Sequence, residues 1–274
     1  NNLSNISFEP QFATICGISK QEMVDNFMPE IEQMAEFNKW TIEETLAKLK
    51  DYYDGYHFCD TNMIDVYNPY SLVNALNHKR LRSYWASSGA TSLLPKFVND
   101  MELHLDDFDH CSVLRGILET SDVTGGGPEL FLYQSGYITI KDSDEFGYIL
   151  GIPNEEVRQA LNEMVLPALT MRKQGDILSL QANLYRQLGT GMLDDAKKTL
   201  RSLIADVPYS NKKLASMDME ERYRLIISTI LNAIGIRVEV ERMLATGRID
   251  LVAWLSRYIY VIELKLSNNG GIAA

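Results

Sequence analysis

The stretch Gly247-Arg248-Ile249-Asp250-Leu251-Val252-Ala253-Trp254, followed by Tyr258-Ile259-Tyr260-Val261-Ile262-Glu263-Leu264-Lys265-Leu266, decides how the chain is read. Both runs are dense in β-branched and aromatic residues. They are bounded by turn sequences at Ala245-Thr246-Gly247 and Leu255-Ser256-Arg257, the pattern of short strands. With Ile236-Arg237-Val238-Glu239-Val240 before them, they predict a small antiparallel meander. Period-two alternation in the third run puts Ile259, Val261, Glu263 and Lys265 on one face and Tyr258, Tyr260, Ile262 and Leu264 on the other. Asp250 stands between Ile249 and Leu251. Three charged side chains in such apolar strands need partners, because a carboxylate buried alone costs several kcal/mol.

Just upstream, Asp218-Met219-Glu220-Glu221 opens a helix expected to run to Gly235. Tyr223, Ile226, Ile227, Ile230, Leu231 and Ile234 recur at the spacing of a buried face. At about 100° per residue from Tyr223, this stripe centres near roughly 10°, with Glu220 at about 60° and Glu221 at about 160°. Glu220 therefore flanks the buried face. Glu221 stands three residues after the N-cap Asp218, where a capping-box acid has a sufficient structural role.

Two readings account for the strand charges. One is an ion pair of Lys265 with Glu263 or Asp250 at a sheet edge. The other is a metal site, in which Asp250, Glu263 and the main-chain carbonyl of Leu264 are hard oxygen ligands suited to Mg²⁺ or Mn²⁺. Lys265 beside them could orient and help deprotonate an attacking water or stabilise the phosphorane-like charge. That combination suits metal-assisted phosphodiester hydrolysis.

Further towards the start, Ser19-Lys20-Gln21-Glu22 and Thr41-Ile42-Glu43-Glu44 are capping boxes that open two helices between Ser19 and about Tyr53. Asn68-Pro69 starts another, around Tyr70 to Asn77. Gly136-Tyr137-Ile138-Thr139-Ile140, a turn-rich segment and Tyr148-Ile149-Leu150 predict a β-hairpin, and Pro153-Asn154-Glu155-Glu156-Val157 a following helix. That order suits a winged-helix-like module. Residues 155 to about 206 are helical in pattern, broken near Gly189-Thr190-Gly191, with Leu193, Leu200, Leu203 and Ile204 as core contacts. The Gly125-Gly126-Gly127-Pro128 run lacks the Lys-Ser/Thr of a phosphate loop and is a flexible turn.

The 274 residues, 46% apolar and 23% charged, are those of an ordinary globular chain of one large domain or two smaller ones. Lys plus Arg, 26, against Asp plus Glu, 37, leaves −11. Such a field does not grip phosphate as a whole, although an enzyme that sets metal ions between carboxylates and phosphate can be acidic. Cys16, Cys59 and Cys111 have no C-x-x-C spacing and read as reduced thiols of a cytoplasmic protein. No run of 18 apolar residues predicts a membrane span. The first residue is Asn1 rather than Met, so the chain reads as a piece of something longer. His104 to His110, with Asp106, Asp107, Asp109 and the adjoining Cys111, reads as an acidic solvated loop, since no paired Cys or His at zinc spacing completes it. No G-x-S-x-G elbow supports a serine hydrolase, and the aromatic cluster from Tyr52 to Phe58 reads as core rather than a base-stacking platform. Lys197, Lys198 and Arg201, or Lys212 and Lys213, suit equally a phosphate backbone and a solvated helix face.

Glu220 on a helix, then Asp250, twelve residues, and Glu263-Leu264-Lys265 resemble the PD-(D/E)XK nuclease superfamily. The wording around Asp250 and Glu263 is similar to one branch, the C-terminal nuclease domain of bacterial AAA-ATPase-like proteins of Bacteroidetes type. Tyr53-Asp54-Gly55-Tyr56-His57-Phe58, Val66-Tyr67-Asn68-Pro69-Tyr70-Ser71-Leu72 and Tyr84-Trp85-Ala86-Ser87-Ser88-Gly89 resemble the end of that family's ATPase-like part. Tyr133-Gln134-Ser135-Gly136-Tyr137-Ile138-Thr139-Ile140 and Pro153-Asn154-Glu155-Glu156-Val157-Arg158 resemble its middle.

The resemblance implies an α+β chain: residues 1–98 the helical end of an ATPase-like domain, 99–158 winged-helix-like, 159–214 a helical connector, and 215–274 an incomplete nuclease core. It implies Mg²⁺-dependent (or Mn²⁺-dependent) cleavage of DNA, with Asp250, Glu263 and the Leu264 carbonyl on the metal, Lys265 at the water and Glu220 accessory. It also implies a partner in the protein's own ATPase-like domain, expected before residue 1, so that this chain alone should not hydrolyse ATP. The nuclease fold would start its next helix where the chain stops, at Ser267 to Ala274. The alternative is a catalytically inactive nuclease-like module that binds or regulates for the ATPase.

Overall fold

The computed structural model describes residues 6–85, 111–118, 127–170, 174–205, 218–244, 247–255, 257–266 and 272–273. The His104 to His110 loop, Ala86 to Gly89, Gly125-Gly126, Lys212, Lys213, the Ala245-Thr246 turn and Ser267 to Gly271 lie outside the described residues. The described residues fall into two compact units divided after Arg158. Helices combine with antiparallel sheets in an α+β architecture.

In the first unit, α1 (Lys20–Asn38) and α2 (Ile42–Tyr53) begin at complete capping boxes. Ser19 accepts from the Glu22 amide and Thr41 from the Glu44 amide, and each glutamate answers its cap. This satisfies end amides that would otherwise lack partners. Asn68 caps α3 (Pro69–His78), with Pro in its first turn. The strands β1 (Ile18–Ser19) and β2 (Val66–Tyr67) pair antiparallel beside the helices. Met23, Ile31, Met34, Leu49, Tyr53 and Leu72 form a fully buried core.

A second sheet contains β3 (Cys111–Leu114), β4 (Thr139–Ser143) and β5 (Gly147–Gly151) in the order β3-β5-β4. The expected hairpin is β4 and β5; the outer strand β3 had no counterpart in the sequence reading. Asp144 closes the hairpin by accepting from the amides of Phe146 and Gly147, both at 2.8 Å. A Cβ at Gly147 would stand 1.9 Å from the Val113 carbonyl oxygen, so only glycine admits that close approach. The short helices α4 (Arg115–Leu118) and α5 (Gly127–Gln134) complete this part.

Helix α6 (Glu155–Thr170) carries the chain into the second unit, followed by α7 (Gln174–Gly189), α8 (Leu193–Ala205) and α9 (Met219–Ala233). The break between α7 and α8 uses Gly191 at φ +76. Leu203 is buried as expected, whereas Leu193 is 46% exposed, because it stands at the first position of α8. Helix α9 is buried well beyond one stripe: Ile226 to Leu231 are all buried, including Ser228 and Thr229. Both hydroxyls donate back to the Leu225 carbonyl, which removes the cost of burying them.

The meander is β6 (Arg237–Leu244), β7 (Gly247–Trp254) and β8 (Ile259–Ile262), antiparallel in that order. Two expectations are corrected. The first strand runs on to Leu244, through Glu241 at φ +54. The third run is not one strand: it ends at Ile262, leaves Glu263 and Leu264 outside the ladder, and resumes as β9 (Lys265–Leu266). Strand β9 pairs antiparallel with β10 (Ile272–Ala273), a strand in the segment where the resemblance implied the start of a helix. Among the described residues no helix is long and apolar enough to cross a membrane.

Candidate functional site

Asp250 lies in the central strand of the meander, with its side chain 14% exposed. Val240 pairs with Leu251 and Arg242 with Ile249, so the register sets Glu241 opposite Asp250. On the other side the ladder ends at the pair Leu251 and Ile262, so Glu263 follows directly after the last paired residue of β8. Neither Glu241 nor its cation was anticipated from sequence. That cation is Arg224 of α9, whose Nη2 is 2.9 Å from Glu241 Oε1 and whose Nη1 is 3.6 Å from Asp250 Oδ1. The second distance exceeds a hydrogen bond, so Arg224 holds Glu241 firmly and Asp250 loosely.

The other oxygen of Asp250 explains the broken strand. Asp250 Oδ2 accepts from the Leu264 amide at 2.8 Å. A side chain thus replaces the main-chain acceptor, and the backbone leaves the ladder at Glu263. The buried Leu264 anchors the departure, while Glu263 and Lys265 on either side are exposed. Glu220 is exposed in the first turn of α9, and Asp218 accepts from the Glu221 amide at 2.8 Å. Among the described residues no three His, Cys, Asp or Glu side chains gather as a metal-holding group, so Glu220 is not brought together with Asp250 and Glu263. The donor chemistry of Asp250, Glu263 and the Leu264 carbonyl fits Mg²⁺, which is commonly held by one or two carboxylates and keeps several waters.

The first unit contains a second concentration of polar groups, which the sequence reading passed over. Glu156 is fully buried in the first turn of α6. Its Oε1 accepts from Ser71 Oγ at 2.8 Å, from the Tyr84 amide at 2.7 Å and from the Trp85 amide at 2.9 Å. Its Oε2 has no hydrogen-bond partner among the described residues. Burial pushes the Glu156 carboxyl up from its ordinary pKa, against the pull of those three donors.

Nearby, Asn154 donates to the Asp54 carbonyl, and Lys141, at a register shift in β4, donates to the carbonyls of Gly55 and Pro153. Burial likewise raises Asp54, to about 6. His57 exchanges two hydrogen bonds with Thr139 and sets Nε2 2.7 Å from Asp65 Oδ1. Burial lowers its pKa, with Asp65 opposing. The five upstream segments that carry the family resemblance are thereby tied to one another. The local signal at Glu155-Glu156 is that of ordinary first-turn helix acids; the donors lie more than seventy residues away.

No family model matches the chain, and no solved structure matches it. Over 280 residues it is 25% identical to a protein of Azotobacter chroococcum mcd 1 described as "Uncharacterized protein in vnfD 5'region". That match covers 97% of this chain and 50% of the other protein, so the chain spans about half the length of the curated relative.

Proposed function

We propose that the second unit is a metal-dependent nuclease module that hydrolyses DNA phosphodiester bonds, acting beside an ATPase-like domain of a longer protein. The observation that carries the reading is the bond between Asp250 Oδ2 and the Leu264 amide. It ties the aspartate of the D-x12-E-x-K pattern to the segment bearing its glutamate and lysine. Asp250, Glu263 and the Leu264 carbonyl would hold Mg²⁺ or Mn²⁺. Such an ion, when bound, polarises a phosphodiester and acidifies its own water. Lys265 Nζ, with three donors, orients the attacking water and offsets charge on the attacked phosphate. Glu220, which is not gathered with Asp250 and Glu263, takes no part in this reading. The meander following α9 supports a nuclease-like core, and the hairpin β4–β5 followed by α6 supports a winged-helix-like middle.

A second reading, an inactive nuclease-like module that binds or regulates for the ATPase, draws support from Arg224, which sets a guanidinium beside Asp250. A cleavage assay on the longer protein separates the two, run with Mg²⁺, with Mn²⁺ and with chelator, with and without ATP. The nuclease reading expects divalent-dependent cleavage that Asp250→Ala and Lys265→Ala abolish. Cleavage unchanged in both variants would falsify the assigned roles, and no cleavage by the wild type would favour the second reading.

A further inference from the structure

A cleft of about 310 Å³ in the second unit counts Glu263 among its lining residues. Leu200 and Ile204 of α8 with Ile227 of α9 give it an apolar floor, and Tyr223 contributes to its wall. Lys197 and Arg201 line it as well, both exposed. They are four residues apart on α8 and so share one helix face. Lys198 is turned by about 100° from Lys197 and about 60° from Arg201, is not among the lining residues, and pairs with Asp195 at 3.3 Å. Helix geometry thus divides three basic residues that sequence alone leaves equivalent. In a chain of net charge −11, two cations set over an apolar floor are a local arrangement rather than a consequence of composition.

We propose that this cleft receives an unpaired DNA strand, with its phosphates on Lys197 and Arg201 and a base against Tyr223 and the apolar floor. Duplex DNA offers phosphates to such a cleft but keeps its base faces in the stack, so the floor would gain nothing from it. An unpaired strand offers both, which is the combination of cationic track and aromatic platform that single-strand binding uses. The strand then runs towards Glu263. The direction of that run rests on the nuclease reading of Asp250 and Glu263; the binding itself does not.

Binding is therefore measured on the full chain in chelator, by fluorescence anisotropy with a labelled oligothymidylate and with a duplex of equal length. The single strand is expected to bind at least about fivefold tighter. The double variant Lys197→Glu/Arg201→Glu should weaken single-strand binding by about tenfold or more and flatten the log-affinity against log-salt slope by about 1.4, two phosphates' worth. Tyr223→Leu should weaken it about fivefold with the slope unchanged. Lys198→Glu, the control for charge alone, should stay within about twofold of wild type. Circular dichroism melts establish that each variant is folded.

Equal affinity for duplex and single strand, or a double variant no weaker than Lys198→Glu, overturns the proposal. So does preferential binding of an acidic amphipathic peptide over the oligothymidylate. Strand binding by the wild-type chain in chelator, with no cleavage once Mg²⁺ or Mn²⁺ is added, removes the nuclease reading and leaves this one standing. Cleavage without strand preference removes this one alone.

Discussion

Asp250 and Leu264 are joined by a 2.8 Å hydrogen bond from a main-chain amide to a carboxylate, across the point where β8 leaves the sheet. The bond has a structural and a chemical consequence, and substitution can separate them. Asp250→Asn keeps an oxygen acceptor for the Leu264 amide but loses the charge. It should melt close to wild type and lack divalent-dependent cleavage. Asp250→Ala should also be destabilised, by about 1–3 kcal/mol, because the buried amide loses its acceptor. Paired melting and cleavage measurements read both; a cleavage-competent Asp250→Asn would sink the metal role.

Arg224 lies between carboxylates that the register sets opposite each other. Arg224→Met removes the guanidinium that both carboxylates meet. We expect a loss of about 1–3 kcal/mol, less than for a fully buried pair because Glu241 is partly exposed. Added Mn²⁺ should recover part of that loss in a thermal-shift measurement if Asp250 holds the ion. A melt unchanged by the substitution would mean that the cation contributes nothing there.

Glu156 serves three donors with one oxygen. Glu156→Ala orphans the Ser71 hydroxyl and the amides of Tyr84 and Trp85, and should cost roughly 3 kcal/mol or more in urea unfolding. Glu156→Gln retains an acceptor and should cost less than half as much. Similar losses in the two variants would mean that charge, rather than hydrogen bonding, is what the site requires.

Asp54 sets a pH dependence whose sign follows from burial. Its folded pKa, about 6, lies above that of an exposed aspartate. Between about pH 4 and pH 6 the folded state therefore holds a proton that the unfolded state has lost, and stability falls as pH rises through that window. Glu156, also raised by burial, acts in the same direction. Asp54→Asn should flatten the fall in unfolding free energy across that window. An unchanged slope would assign the dependence to other groups.

Much of the local structure is legible in the sequence because its causes are local. Ser19 with Glu22 and Thr41 with Glu44 satisfy helix-end amides within three residues, and Asn68-Pro69 starts α3 by the same logic. The alternation of Ile259, Tyr260, Val261 and Ile262 specifies a strand, and the structure exposes Ile259 and Val261 while half-burying the other two. The spacing of Ile226, Ile227, Ile230 and Leu231 specifies a helix, but not that Ser228 and Thr229 would be buried with them.

The pattern Asp250, Glu263 and Lys265 was visible as a pattern, but its geometry was not. Period-two alternation carries Glu263 and Lys265 along an unbroken strand; the structure ends that strand because the amide of Leu264 finds a carboxylate fourteen residues earlier in the chain. Arg224 reaches Glu241 from another element, and Glu156 collects donors from Ser71, Tyr84 and Trp85. By itself, the sequence determined where the capped helices and the meander lie and which residues are candidates for the chemistry, since periodicity and capping act over a few residues. Only the tertiary structure decided which cation meets which carboxylate, where the third strand stops and which basic residues share a cleft with Glu263, because each depends on a partner distant in the chain.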